Sequence, residues 1–267
     1  MRASLNSVTA IILAGSRPGV DSFAAAHGVT LKSLIPVAGK AMLAHVVAAV
    51  SANRAINGTQ IIAQDIKQLA SDPDVADALL AAKAHLIPGA ATIAQSLEAV
   101  LADPDVRFPL MVTTADNVLL NDPMIAHFLA QSDGSDVAVA VVERDVLLQS
   151  YPSSKRTWIK LKGSQYSGAN LFYFGSEKAA KLLALWAEIE QDRKKGWKIF
   201  TVFGPWLLIL GVLRLFTIDQ LAERIGRKLG LKAKAVPMPQ AEACIDVDKA
   251  EDLEMVESIL ARRRSPG

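Results

Sequence analysis

The sequence predicts an α/β fold: a three-layer sandwich with a mostly parallel sheet and a helical insertion in its C-terminal half. Three observations lead there. Val8 to Leu13 is an apolar run, interrupted only by Thr9 and dominated by β-branched residues and leucine, as in a strand buried on both faces of a parallel sheet. Strand-like and helix-periodic segments alternate from Val8 to Val142, the pattern of βαβ units. Gly15 and Asp116 each lie just past the end of an apolar run, and in such sheets ligands sit beyond the carboxyl ends of the strands.

In chain order, the apolar spacing over Lys40 to Ser51 predicts a helix and Thr59 to Ala63 a short strand. Lys67 to Ala84 is helix-periodic with a break at Asp72-Pro73. His85 to Pro88 reads as a strand, Thr92 to Leu101 as a helix, and Pro109 to Thr114 as the next strand. Asp122-Pro123 opens a helix, since proline fits the first turn, and Asp136 to Val142 is a strand. The second half is less regular. Arg156 to Lys162 and Ala169 to Phe174 read as strands flanking Gly163-Ser164, and Ser176 to Gln191 as a helix. Ile218, Leu221, Ala222, Ile225 and Leu229 mark an amphipathic helix. Lys234 to Met238 and Ala243 to Val247 read as short strands, and Glu251 to Arg262 as a terminal helix. With no repeat and no linker, residues 1–267 are expected to form one domain. Residues 1–145 form its first half, 146–255 its second with an insertion over 197–231, and 256–267 a helix end with a basic tail.

Composition narrows the function. Of 267 residues, 51% are apolar and 21% charged, which supports a large core and argues against disorder. A net charge of +2 is too small a bias to indicate a nucleic-acid partner, and Arg262-Arg263-Arg264 reads as a solvated tail. The single cysteine, Cys244, can form no internal disulfide and belongs to no CxxC metal motif. A cytoplasmic location without a secretory signal is expected. Ile199 to Ile218 is apolar over about the length of a membrane span. Gly204-Pro205, Gly211 and Arg214 interrupt it, so a helix starting at Pro205, buried or lying at a membrane surface, is favoured over a span.

Four places carry chemistry. Gly15-Ser16-Arg17-Pro18-Gly19 offers backbone N–H groups and a guanidinium to a phosphate, although an ordinary turn accounts for the same residues. Lys32 precedes Leu34-Ile35-Pro36-Val37 and is a phosphate ligand or a solvated charge. Thr113-Thr114-Ala115-Asp116-Asn117 puts a carboxylate past a strand end, suited to a hard cation or to a cap. Asp246-Val247-Asp248 sets two carboxylates on one side if extended, and Asp248 can equally cap the last helix with Glu251. The four histidines are scattered and none is assigned.

Together these segments resemble the MobA-like NTP transferases, nucleotidyltransferases of GT-A (nucleotide-diphospho-sugar transferase-like) fold. The family opening, LAGG-x-G-x-R-M and then K-P-L-L-P-V-x-G-K-P-M-L, is matched by Leu13-Ala14-Gly15-Ser16-Arg17 and by Lys32-Ser33-Leu34-Ile35-Pro36-Val37-Ala38-Gly39-Lys40-Ala41-Met42-Leu43. Thr114-Ala115-Asp116 is similar to the family's metal aspartate. Asp246-Val247-Asp248-Lys249-Ala250-Glu251-Asp252-Leu253 resembles its closing D-x-D-T-P-E-D-L. Ser16 replaces a glycine, Pro18 intrudes, the interval to Lys32 is long, and Trp197 to Leu231 has no counterpart.

The resemblance implies transfer of a nucleoside monophosphate from an NTP to a phosphorylated small-molecule acceptor, with release of pyrophosphate. Lys32, Arg17 and Asp116 would be catalytic. Leu13, Ala14, Gly15, Ser16, Arg17, Lys32, Ser96, Thr114 and Ala115 would bind the nucleotide. Gly168 and Asn170, in a stretch similar to the family's N-x-G region that equally reads as a hairpin turn, would bind the acceptor, and Lys155 and Arg156 are candidates for its phosphate or an exposed solvated pair. Asp116 and Asp248, with Asp246 as a further candidate, would hold Mg2+. CTP is favoured, because the apolar segment 199–218 suggests a lipid-related product; that segment is also the candidate for a peripheral membrane or homo-oligomer contact. A GT-A glycosyltransferase and a catalytically silent nucleotide-binding protein are the alternatives.

Overall fold

The computed structural model describes residues 7–15, 19, 21–191 and 215–264. Among these, eight strands form one sheet in the order β10-β7-β9-β6-β1-β4-β5, with β8 paired to β9. The strands are β1 (Val8–Leu13), β4 (Ile56–Ala63), β5 (His85–Pro88), β6 (Leu110–Thr114), β7 (Val137–Glu143), β8 (Ile159–Lys160), β9 (Gln165–Phe174) and β10 (Ala233–Pro237). β1 runs parallel to β4 and β6, β4 to β5, and β7 to β10. β9 alone runs the other way, wedged between β6 and β7. The sheet is therefore mostly parallel, as its apolar strands predict.

Alternate residues of β1 feed two cores, which makes the sandwich three-layered. Ala10 and Ile12 face one, lined by Met42, Val46, Leu69, Val75, Phe128 and Val256. Those residues belong to α2 (Met42–Ser51), α3 (Ile66–Ser71), α4 (Pro73–Ala82), α6 (Asp122–Ser132) and the terminal helix α10 (Ala250–Arg264). Ile11 and Leu13 face the other, with Leu97 of α5 (Ile93–Ala102) and Leu183 of α8 (Ala180–Gln191). The helix α9 (Ile218–Leu229) buries Ile218 against Ala235 and Val141. Its start is a capping box made by Thr217 and Gln220, and Gly230 ends it in the left-handed region at φ 67°, where glycine is the least strained residue.

The break between α3 and α4 falls where Asp72 caps the second helix and Pro73 opens it. Three elements are not foreshadowed by periodicity: α1 (Ser22–Ala26), α7 (Arg144–Ser150), and the hairpin of β2 (Pro36–Val37) with β3 (Lys40–Ala41). That hairpin turns through Ala38 and Gly39 at φ 48° and 85°, the two left-handed positions of the tightest hairpin turn. It is pinned from both sides: Ala38 N–H donates to Glu257 (2.8 Å) and Ala41 N–H to Asp74 (3.0 Å).

Two expectations need correction. Ala243–Val247 is not a strand. Ala241–Cys244 is a 3-10 turn, and Val247 donates its N–H to the carbonyl of Asp116 (3.1 Å), so the segment serves the site rather than a ladder. Of Arg156–Lys162 only Ile159–Lys160 pairs with β9, because Arg156 turns inward to carboxylates. The expected insertion over 197–231 lies partly outside the described residues, as do Trp197, Phe203, Trp206 and Arg214. No helix among the described residues is long and apolar enough to cross a membrane.

Candidate active site

The carboxyl ends of β1, β4 and β5 form one wall. Ala14 N–H donates to Ile62 O (2.9 Å) and Gly89 N–H to Ala63 O (2.8 Å), which holds the strand ends level. Gln64, just past β4, lies across them and donates to Ala90 O (3.0 Å). A Cβ on Gly15 would come 2.8 Å from its Oε1, so the Gln64 side chain packs directly over the glycine and would have to shift for any larger residue there. Ser96 is buried; its hydroxyl accepts from Ala90 N–H and donates to Thr92 O, both at 2.9 Å, so it fixes the loop leading into α5. Gln64 is a member of this wall that motif reading missed, and its position past a strand end was the available signal. Ser16 and Arg17 lie outside the described residues.

The centre of the rim is a knot of charge. Lys32 opens a 3-10 turn, and its Nζ lies 2.7 Å from Asp116 Oδ2 and 2.5 Å from Asp248 Oδ1. These three residues come from distant parts of the chain and meet because β6 ends beside β1 and the 246–248 segment is tied to Asp116 by the backbone. Thr114 Oγ1 donates to Asp116 Oδ1 (2.5 Å), which orients that carboxylate. Burial alone would lower the Lys32 pKa, but the charges and hydrogen bonds of Asp116 and Asp248 outweigh it and raise the value. Asp248 turns its carboxylate to Lys32, and the back-bond at the start of α10 runs instead from Asp248 N–H to Asp252 Oδ2 (3.4 Å).

The third carboxylate is held differently. Asn170 sits in β9 at φ 47°, a position an asparagine tolerates better than most residues. Here the β7–β9 register slips between Val139 and Val141; this bulge re-aims the side chain, and Asn170 Nδ2 donates to Asp246 Oδ2 (3.0 Å). Asn117, fully buried, braces the bulge through Ala169 O (3.4 Å). Arg156 Nη1 donates to Asp246 Oδ1, and its Nη2 lies 3.0 Å from Asp252 Oδ1. Arg156 is therefore spent on aspartates of the rim, while Lys155 is exposed. Gly168 pairs opposite Val141 on the same stretch of β9. Burial pushes the Asp246 carboxyl up; Arg156 opposes that, and Asp116 and Asp248 add to it. Asp252 and Asn117 were not singled out from the sequence, since each reads as an ordinary cap or turn residue.

Asp116, Asp246 and Asp248 each present a carboxylate oxygen, all within 4.8 Å of one another. Three hard oxygen donors on an open rim fit a divalent cation such as Mg2+, which takes one or two carboxylates and completes its shell with water and phosphate oxygens.

Sheet, helical layers and rim place the structure in the class of GT-A-like nucleotidyltransferase folds. The chain belongs to the MobA-like NTP transferase family, whose domain matches residues 10–201. A hypothetical transferase from Thermus thermophilus superposes with a TM-score of 0.75 at 23% identity, covering 93% of this chain and 99% of that one. A 4-diphosphocytidyl-2C-methyl-D-erythritol synthase matches at TM-score 0.56 and 13% identity over 96% of this chain and 99% of its own. A CMP:2-keto-3-deoxy-manno-octonic acid synthetase complexed with CTP gives 0.56 and 14% over 96% and 99%. No significant match to a curated protein is found.

Proposed function

We propose that this protein transfers a nucleoside monophosphate from an NTP, CTP in preference, to a phosphorylated small molecule in a Mg2+-dependent reaction that releases pyrophosphate. The observation that carries this reading is the convergence of Lys32 with Asp116 and Asp248, and Asp246 beside them, at the carboxyl rim. In the reaction an oxygen of the acceptor phosphate bonds to the α-phosphorus as the bond from that phosphorus to the bridging oxygen breaks. The electron pair leaves on pyrophosphate. An acceptor phosphate is already ionised near neutral pH, so no base is needed and the site's task is positioning and charge neutralisation.

In this reading Gly15 and Ala14 meet the nucleotide through the backbone, with Gln64 and the Ser96-braced loop beside them. Arg17 and Ser16 reach the triphosphate. Lys32 donates to the oxygens of the α-phosphate, where charge builds in the transition state. Asp116 and Asp248 would hold Mg2+, which when bound neutralises phosphate charge. The β9 bulge with Gly168 and Asn170, together with Lys155, faces the acceptor, and Arg156 acts through Asp246. The preference for CTP draws support from the cytidylyl and CTP chemistry named for two of the structural neighbours.

The test is pyrophosphate release from each of the four NTPs with a panel of phosphorylated alcohols, sugars and lipid precursors, with and without Mg2+. Metal- and acceptor-dependent release with one NTP supports the reading. Reaction only with a preformed nucleotide sugar would replace it with glycosyl transfer.

A further inference from the structure

We propose that Lys32 is also an internal counter-cation, which keeps a divalent ion off Asp116 and Asp248 until a nucleotide draws the ammonium away. The proposal rests on the reading of those two aspartates as metal ligands.

The geometry is specific. One ammonium bridges two carboxylates, 2.7 Å from Asp116 and 2.5 Å from Asp248. Three further oxygens of the knot are engaged as well: Asp116 Oδ1 by Thr114, Asp246 Oδ1 by Arg156 and Asp246 Oδ2 by Asn170. A cation bound to Asp116 and Asp248 at ordinary Mg–oxygen distances, about 2.1 Å, would lie within a few ångströms of an ammonium that keeps both contacts. Like charges that close repel strongly in a partly buried site. The ion and the two-handed ion pair therefore compete for the same oxygens.

A triphosphate resolves the competition. It offers the ammonium new oxygens, and the flexible four-carbon stem of lysine lets the charge swing while its Cα stays fixed in the turn that Leu34 N–H closes onto Leu31 O (3.0 Å). The same side chain is then delivered to the α-phosphate as the carboxylates are released. Metal and nucleotide binding become mutually reinforcing, and by linkage each raises the other's affinity by the same factor. A binding order follows, in which metal enters with the nucleotide and not before it.

The test uses Mn2+ alone, counted as the free-ion signal in electron paramagnetic resonance, with nucleotide-free protein. Lys32→Met is expected to bind Mn2+ at least about tenfold more tightly than wild type. Its melting temperature should rise with Mn2+ while that of wild type barely moves. Lys40→Met, which removes an exposed lysine and the same unit of charge, should behave as wild type. Should Lys32→Met fold poorly, Lys32→Gln removes the charge while keeping a polar end. Equal Mn2+ affinity in wild type and the Lys32 variants, or weaker binding in the variants, overturns the proposal. Addition of Asp116→Asn to Lys32→Met separates the two ideas. If it abolishes Mn2+ binding while wild type and Lys32→Met bind equally, the counter-cation role alone fails. If Mn2+ affinity survives it, the carboxylates are not the ligands and both ideas fail.

Discussion

Arg156→Met is the substitution whose consequence the structure specifies most fully. The Arg156 side chain is 10% exposed, and its two carboxylate partners, Asp246 and Asp252, are 23% and 9% exposed. Methionine replaces most of the aliphatic stem, so the loss is of charge and hydrogen bonds more than of packing. Removing one partner of a buried ion pair costs about 3–5 kcal/mol, because the other charge is left uncompensated. Two carboxylates lose their partner here, but Asp246 keeps some access to water, and the lower end, about 3 kcal/mol, applies. The pH dependence has a definite sign. The folded Asp246 pKa is raised: burial lifts it, Arg156 opposes, and Asp116 and Asp248 lift it further. A carboxyl raised in the folded state contributes stability that is complete below its unfolded pKa and lost as pH rises through its folded pKa. Without Arg156 the folded pKa moves higher still, so the deficit of the variant must widen above the ordinary carboxylate range. Urea unfolding at about pH 5 and about pH 7.5 measures it. The expected result is a deficit of about 3 kcal/mol at the higher pH and a smaller one at the lower. A variant as stable as wild type at the higher pH, or a deficit that does not shrink on acidification, refutes the reasoning.

Asp116→Asn should lower Mg2+-dependent turnover by on the order of a hundredfold or more with the fold retained, since Lys32 keeps its contact with Asp248; turnover near that of wild type at saturating NTP would remove Asp116 from the metal site. Asp136 accepts from Lys232 N–H and Ser176 Oγ, both at 2.7 Å, which joins the starts of β7 and β10 to the loop before α8. Those donors, the backbone one first, hold its pKa below the ordinary value, so it contributes stability above the unfolded carboxylate pKa that is lost as pH falls. Asp136→Ala should cost about 1–3 kcal/mol at neutral pH, read by urea unfolding, with a smaller difference in acid. Burial pushes the Cys244 thiol up to about 11, so the native protein should resist alkylation near pH 8 and react once unfolded; rapid native labelling would contradict its placement.

The first half of the fold is legible because most of its elements are apolar and periodic: β1 and β6 have the burial that their sequences announce. The parts that escaped are short or set by tertiary partners. The 36–41 hairpin depends on Glu257 and Asp74, and no local pattern shows that two distant carboxylates hold its N–H groups. Ala243–Val247 is apolar enough in sequence to read as a strand, yet it begins in a 3-10 turn and its decisive bond is to Asp116. The acidic members of the site were legible as motifs. Their division of labour was not, since the inward turn of Arg156 and the register slip that aims Asn170 arise only when β9 inserts between β6 and β7. Gln64 has no motif at all; its place over Gly15 follows from the parallel pairing of β1 with β4.

Dual-labelled CTP tests the central claim most directly. CTP carrying one label on the α-phosphate and another on the γ-phosphate is incubated with Mg2+ and a panel of phosphorylated acceptors, and the products are separated. The expected result is α-label in a CMP–acceptor conjugate and γ-label in pyrophosphate, in equal amounts, with both lost in Lys32→Met. If the γ-label emerges as orthophosphate, or if no NTP and acceptor pair yields a conjugate while the protein binds nucleotide, nucleotidyl transfer is not the activity of this site.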